Sequence, residues 1–169
     1  MRTQLPLAML FTATLLSALV PTRVAGGNAV VQGQPAPDFA LKNLAGDNLR
    51  LSEWRGEVVV LSFWAKWCGR CSDQLQQLER LQKQYAGRGV RIVTVNIDSD
   101  PGALRDAASH PDLVALHDGD QSVARQYDLS NLPLTVLLDA HGTVRYVHEK
   151  YAGGDAALYD EELTALLQE

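Results

Sequence analysis

The chain has 169 residues, which is enough for one domain with a hydrophobic core but too few for two of ordinary size. Hydrophobic residues make up 46% of the chain and charged residues 21%, a composition typical of a folded protein. The formal net charge is −5 and no run of like charge is present, so we expect no nucleic-acid partner.

The first residues have the layout of a secretory signal. Arg2 supplies a basic start, and residues 5–20 form an uncharged apolar stretch that ends near Pro21. Small residues at 25–29 offer cleavage points, so residues 1–29 are predicted to be a signal peptide. An uncleaved membrane anchor is the alternative, although the stretch is shorter than the roughly 20 residues that a span needs. We expect an exported protein in the periplasm or cell envelope, membrane-tethered if the signal is retained.

The next residues predict a linker and the beginning of a domain. Residues 30–37 contain Gly and Pro and are interpreted as a linker to a domain over residues 38–169. Two apolar segments, 39–41 and 49–51, flank a turn-rich stretch and predict a β-hairpin. Residues 58–64 form a near-continuous apolar run, which is typical of a strand that is covered on both faces.

An amphipathic helix is predicted from Cys71 onward. Apolar residues recur at steps of three and four from Leu75, and either Gly87 or Gly89 ends the helix. The apolar stretch 90–97 is the next strand. A strand, a helix and a strand in this order predict a parallel βαβ unit.

Beyond this unit the chain alternates between helix and strand patterns. Helices are predicted over 98–110 and 123–127, an antiparallel strand pair over 134–138 and 144–148, and a terminal helix from Tyr159. The order of elements predicts an α/β fold with a mixed central sheet flanked by helices.

Cys68 and Cys71, the two cysteines of the chain, stand between the first long strand and its helix. Cys68 is expected in the first turn of the helix, where the helix dipole and the charge of Arg70 favour a thiolate. Two intervening residues let one helical turn bring the sulfurs within bonding range. Cys71 is then placed to resolve a mixed disulfide formed at Cys68, so the pair predicts thiol–disulfide exchange.

Three segments resemble thioredoxin-like proteins. Residues 63–71, Phe-Trp-Ala-Lys-Trp-Cys-Gly-Arg-Cys, are similar to the family's active-site segment. Residues 34–39, Gln-Pro-Ala-Pro-Asp-Phe, resemble the opening of the exported branch that includes cytochrome-maturation thioredoxins, and residues 132–135, Leu-Pro-Leu-Thr, resemble the cis-proline loop. The resemblance covers residues 34–168. It implies a thioredoxin fold with an N-terminal β-hairpin and a helical insertion.

The resemblance also implies a site and partners. The predicted site has Cys68 and Cys71 as the catalytic pair, Trp67, Gly69 and Arg70 in supporting positions, and Leu132 and cis-Pro133 on the substrate side. Trp67 is interpreted as a platform for substrate. Protein thiols or disulfides are the expected partners, a reductant would need a membrane-bound electron donor, and no cofactor or metal is expected.

Three positions depart from the family pattern. Arg70 stands where the family often has proline. Its positive charge predicts a more oxidising Cys68–Cys71 couple, unless the side chain is only a solvated residue at the start of the helix. Ser62 stands where thioredoxin has a buried aspartate, and Gln74 where exported reductases often have a glutamate. Both expected proton acceptors are therefore absent, which predicts slow resolution at neutral pH.

Other interpretations of the cysteine pair stay open. An inert disulfide is one, and half of a zinc site is another, although His110, His117, His141 and His148 lack metal-ligand spacing and are assigned no role. A thioredoxin-fold binding module with a vestigial pair is the main alternative function, and a thiol peroxidase is the third. For an active enzyme, the branch resemblance favours a reductant for envelope proteins or cytochrome maturation, whereas Arg70 favours an oxidant or isomerase.

Overall fold

A computed structural model describes residues 30–153 and 155–169, which form a mixed seven-stranded sheet with helices on both faces. The strands are β1 Ala40–Asn43, β2 Asn48–Arg50, β3 Val58–Trp64, β4 Val90–Asn96, β5 Val114–His117, β6 Leu134–Leu138 and β7 Val144–His148. The α-helices are α1 Cys71–Gln84, α2 Ser122–Gln126 and α3 Asp155–Leu166, and short 3₁₀ helices span Leu51–Trp54 and Pro101–Ser109.

The strand order is β2-β1-β5-β4-β3-β6-β7. Strand β3 runs parallel to β4, and β4 runs parallel to β5, whereas the pairs β1–β2, β1–β5, β3–β6 and β6–β7 are antiparallel. The predicted βαβ unit and both predicted hairpins are therefore confirmed. Their arrangement places the carboxyl end of the central strand β3 directly before the cysteines.

Strand β3 is buried along its whole length because it separates two hydrophobic clusters. Val58 and Val60 face the cluster that contains α1 and α3, whereas Val59 and Leu61 face the cluster that contains α2. Alternating side chains of a strand point to opposite faces, so an uninterrupted apolar run is what a strand covered on both sides requires. Burial of each such side chain stabilises the fold by roughly 1.5–3 kcal/mol.

Two elements differ from the sequence prediction. Strand β5 follows the Pro101–Ser109 segment and was not predicted. That segment is a 3₁₀ helix rather than an α-helix. Gly102 lowers the helix propensity of its first turn, and the Asp100 carboxylate accepts a hydrogen bond from the Gly102 N–H at 2.8 Å, which favours a tight local turn.

Residues 30–37, interpreted from the sequence as a linker, pack onto the domain. The Gly33 N–H donates to the Val144 carbonyl at 2.7 Å, and the Ala36 N–H donates to the Gly142 carbonyl at 3.0 Å. Ala36 is buried. The segment is therefore part of the folded unit, tied to the β6–β7 hairpin.

The predicted signal peptide, residues 1–29, lies outside the described residues. Within the described part of the chain, none of the helices combines the length and the apolar character that crossing a membrane requires.

Candidate active site

The two cysteines form a disulfide immediately after strand β3. Their Cα atoms are 5.4 Å apart, and the Cys71 N–H donates to the Cys68 carbonyl at 3.1 Å, which closes a turn between them. Cys68 is partly exposed, whereas Cys71 is 1% exposed. A protein thiol can therefore approach the Cys68 sulfur more easily than the Cys71 sulfur.

The helix begins at Cys71, as its apolar spacing predicted, but the expectation that Cys68 lies in its first turn is wrong. Cys71 is the first residue of α1, and Arg70 is its N-cap residue with no side-chain capping hydrogen bond. Cys68 consequently lies in the turn that precedes the helix rather than in its first helical turn. The backbone N–H groups that lack partners at the start of α1 therefore belong to residues nearer in sequence to Cys71 than to Cys68.

A buried neutral network lies behind the disulfide. Ser62 on β3 donates to Gln74 Oε1 at 3.0 Å, and Gln74 Nε2 donates to Thr135 Oγ1 at 2.7 Å and to the Tyr159 hydroxyl at 3.3 Å. Burial raises the pKa of Tyr159 above its ordinary value. The two positions that lack the family's acids are therefore filled by hydrogen-bonded side chains that carry no charge at neutral pH.

An exposed apolar surface flanks the disulfide on one side. Trp67 is 70% exposed and lines a groove with Ile97, Leu129 and Leu132. The Leu132–Pro133 peptide bond is cis, as the resemblance implied. The structure thus brings Trp67 and Leu132 together, and we call this surface the Trp67 groove.

Arg70 and Pro133 meet in an adjoining groove that also contains Lys150 and Tyr151. The Arg70 guanidinium donates from Nη1 to the Tyr151 carbonyl at 3.1 Å. Gly69 is exposed, and a Cβ atom built at this position would meet no heavy atom within 4 Å. A Cβ atom at position 69 would therefore clash with none of the described residues around it.

A separate cavity of about 200 Å³ borders both cysteines, and we call it the side cavity. Its lining consists of Cys68, Cys71, Trp64, Ala65, Lys66, Ser72, Leu75, Asp106, Ser109 and His110. His110 Nδ1 lies 2.9 Å from Glu79 Oε2 on α1. Sequence reasoning assigned no role to His110, because its partner is 31 residues away and no local motif links them.

No group of three or more His, Cys, Asp or Glu side chains among the described residues is arranged to hold a metal ion.

Comparisons with known proteins agree with this geometry. The AhpC/TSA family profile matches residues 32–147. The chain is 34% identical over 121 residues to the thiol-disulfide oxidoreductase ResA of Geobacillus kaustophilus, with 70% of each chain covered. It is 32% identical over 123 residues to the thioredoxin-like protein YneN of Bacillus subtilis, covering 70% of this chain and 72% of that relative.

A solved structure assigned as the thiol:disulfide interchange protein DsbE of Chlorobium tepidum superposes with a TM-score of 0.78 at 31% identity. The superposition covers 82% of this chain and 99% of the other. It confirms the thioredoxin fold that the sequence predicted.

Proposed function

The chain belongs to the AhpC/TSA family and is a thioredoxin-like thiol-disulfide oxidoreductase, and from this premise we propose that Cys68 attacks substrate and Cys71 resolves the mixed disulfide. The observation that carries the assignment is the unequal exposure of the two bonded cysteines. Cys68 is partly exposed and Cys71 is buried, so a protein thiol or disulfide can reach one sulfur only.

The surroundings of Cys68 support a protein substrate. An extended segment of a partner protein would lie in the Trp67 groove, with Trp67 providing an aromatic contact surface. Leu132 and Pro133 would contact the same segment, and Arg70 would contact it from the adjoining groove. Gly69 leaves the approach to Cys68 unobstructed because it has no side chain.

Insulin reduction by dithiothreitol tests this assignment. We expect the wild-type protein to accelerate the reaction and the Cys68→Ser variant to be no faster than dithiothreitol alone. After reduction and removal of dithiothreitol, the matched Cys71→Ser variant should accumulate a mixed disulfide with insulin, visible on a non-reducing gel, because Cys68 still attacks and neither Cys71 nor dithiothreitol resolves the adduct. A wild-type protein that is no faster than Cys68→Ser and dithiothreitol alone would contradict the proposal and favour a binding module with a vestigial pair.

The proposed setting is the cell envelope. The support is the uncharged apolar stretch at residues 5–20, followed by small residues at which a signal peptidase could cleave. Fusing residues 1–29 to alkaline phosphatase without its own signal should give active enzyme outside the cytoplasm. Mass spectrometry of the exported full-length protein should then show a new N-terminus near residues 25–29, whereas an intact membrane-bound chain would indicate an anchor.

The proposed direction is reduction of disulfides in envelope proteins, including apocytochrome disulfides, whose thiols must be free before haem attachment. The similarity to proteins named ResA and DsbE supports this choice. A reductant is itself oxidised in each cycle, so a membrane-bound donor must return two electrons to the Cys68–Cys71 disulfide. Trapping of the redox state in cells should find the pair mainly as dithiol, and a mainly oxidised pair would indicate an oxidant.

A further inference from the structure

The resolving step requires a proton acceptor, and the neutral network does not provide one. In that step Cys71 loses its proton and its sulfur attacks Cys68 Sγ of the mixed disulfide. The bond between Cys68 and substrate breaks, the Cys68–Cys71 bond forms, and the substrate leaves as a reduced thiolate. Ser62, Gln74 and Thr135 do not accept a proton near neutral pH, and burial raises the pKa of Tyr159, so the four side chains of this network supply no base.

The side cavity places a histidine and both cysteines around one space. Cys68, Cys71 and His110 line the same space of about 200 Å³, and Ser72 and Ser109 add hydroxyl groups to its wall. Imidazole is the side chain that changes protonation most readily between pH 5 and 8. A cavity of this size holds several water molecules if its wall is polar, so a proton can cross it through water.

Glu79 holds the imidazole in the orientation that this role requires. A hydrogen bond with His110, followed by one with Lys83, lowers the pKa of Glu79, so the carboxylate is ionised at neutral pH. An ionised carboxylate can only accept a hydrogen bond, so the contact with Glu79 favours the proton on Nδ1 and leaves Nε2 as the acceptor when the ring is neutral. The His110 side chain is only 12% exposed, so its position is well defined by packing.

The remaining charged groups near His110 are paired. Lys66 lies 3.4 Å from Asp106, and both line the side cavity. Lys83 on α1 lies 3.2 Å from Glu79 and 3.3 Å from Asp112. Each cation thus has a carboxylate beside it, and Glu79 is the carboxylate in direct contact with the imidazole.

We propose that His110, oriented by Glu79, accepts the proton of Cys71 through water in the side cavity and so replaces the acid missing at Ser62 and Gln74. This inference rests on the proposed function, because it concerns the resolving step of the same exchange. His110 acts through water and is a positioning residue in the proton path rather than a contact of the substrate.

The reaction of the reduced protein with excess 5,5′-dithiobis(2-nitrobenzoic acid) tests the proposal. Attack by Cys68 releases a first coloured thiolate in a phase that depends on reagent concentration, and resolution by Cys71 releases a second in a phase that does not. An ordinary thiol with a pKa of about 8.5 is only about 3% ionised at pH 7. We therefore expect His110→Gln to slow the second phase about tenfold at pH 7, with the difference vanishing well above pH 8.5 because the thiol then ionises without a base.

The first phase and the exposed His141 serve as controls. The first phase of His110→Gln and both phases of His141→Gln should match the wild type. Added imidazole should restore the second phase in His110→Ala, which a purely structural role does not predict. Glu79→Gln provides a second test if His110→Gln does not fold, because it retains the ring and should slow the same phase at neutral pH.

Parallel pH profiles for the wild type and a folded His110→Gln protein would overturn the inference while leaving the proposed function intact. A wild-type protein that releases only one thiolate and does not reduce insulin would instead overturn the proposed function, and the inference with it.

Discussion

The buried side chains of Ser62 and Gln74 are hydrogen-bonded to each other, with Ser62 Oγ 3.0 Å from Gln74 Oε1. Both are fully buried, and both are neutral. The protein thus keeps hydrogen bonding but no charge behind its disulfide, which avoids the cost of desolvating a carboxylate there.

Replacing Gln74 with glutamate should make stability fall as pH rises. Burial without a cation raises the pKa of a carboxyl group, so the folded value would exceed the unfolded value of about 4.3. Between those two values stability is lost at about 1.4 kcal/mol per pH unit, because the folded state retains a proton that the unfolded state releases. Urea unfolding at pH 5 and pH 8 should show this loss for Gln74→Glu. The control Gln76→Glu, on the exposed face of α1, should show none.

Removing the charge of Arg70 should make the couple slightly more reducing. Arg70 is exposed, and exposed charges at helix ends contribute about 0.3–1 kcal/mol, equivalent to roughly 6–20 mV for a two-electron couple. Equilibration with glutathione should place the wild type above thioredoxin's value of about −270 mV and Arg70→Gln below the wild type. Arg88→Gln, which removes a charge beyond the far end of α1, should leave the potential unchanged. A wild-type potential as low as that of thioredoxin would contradict the predicted influence of Arg70.

Truncating Trp67 should impair reaction with proteins more than reaction with small disulfides. A large, 70% exposed aromatic ring beside Cys68 contributes contact area to a bound polypeptide, whereas a small reagent needs only the sulfur. Trp67→Ala should raise KM for a protein substrate and leave the rate with 5,5′-dithiobis(2-nitrobenzoic acid) unchanged. Leu44→Ala, a matched change at a 51% exposed residue in the N-terminal hairpin, should affect neither. Equal losses with both substrates would indicate that Trp67 acts on Cys68 itself.

Asp38 should contribute stability that disappears in acid. Burial alone would raise the pKa of Asp38, but hydrogen bonds from Arg50 and Ser52 outweigh it and hold the pKa below its ordinary value. A carboxyl group with a lowered folded pKa stabilises the protein above its unfolded pKa of about 3.9, and this contribution is lost as pH falls through the folded value.

Urea unfolding should therefore show wild type more stable than Asp38→Asn at pH 7, with the gap narrowing at about pH 2.5. Asp128→Asn provides a control because Asp128 has a positive φ of 51° that asparagine also tolerates. A stability difference between the wild type and Asp38→Asn that does not change with pH would show that Asp38 stabilises the fold by its packing and not by its charge.

The parts of the fold that the sequence predicts well are those with strong local patterns. The unbroken apolar run of β3 and the three- and four-residue spacing of α1 each specify one element. The sequence did not predict β5, because its four residues form a strand only through pairing with β4 on one side and β1 on the other. Short strands of this kind are defined by tertiary contacts rather than by their own sequence.

The same distinction applies to the candidate site. The disulfide and the cis peptide bond before Pro133 follow from segments that resemble a family. The contact of His110 with Glu79 joins residues from separate elements, and only the packing of the Pro101–Ser109 region against α1 brings them together. The position of Cys68 outside α1 was also missed, because the two turn residues between Cys68 and Cys71 are compatible with either helix boundary.

Segment 33–36 has a consequence for self-association. Unpaired edges of a sheet are templates on which another molecule can add a strand. At one edge, Pro35 forms a bridge with Thr143, and Gly33 donates to Val144, so the chain itself covers the start of β7. At the other edge, β2 has only three residues. Both borders of the sheet are thus poor acceptors for a foreign strand, and a protein trimmed back beyond residue 36 would lose this protection on the β7 side.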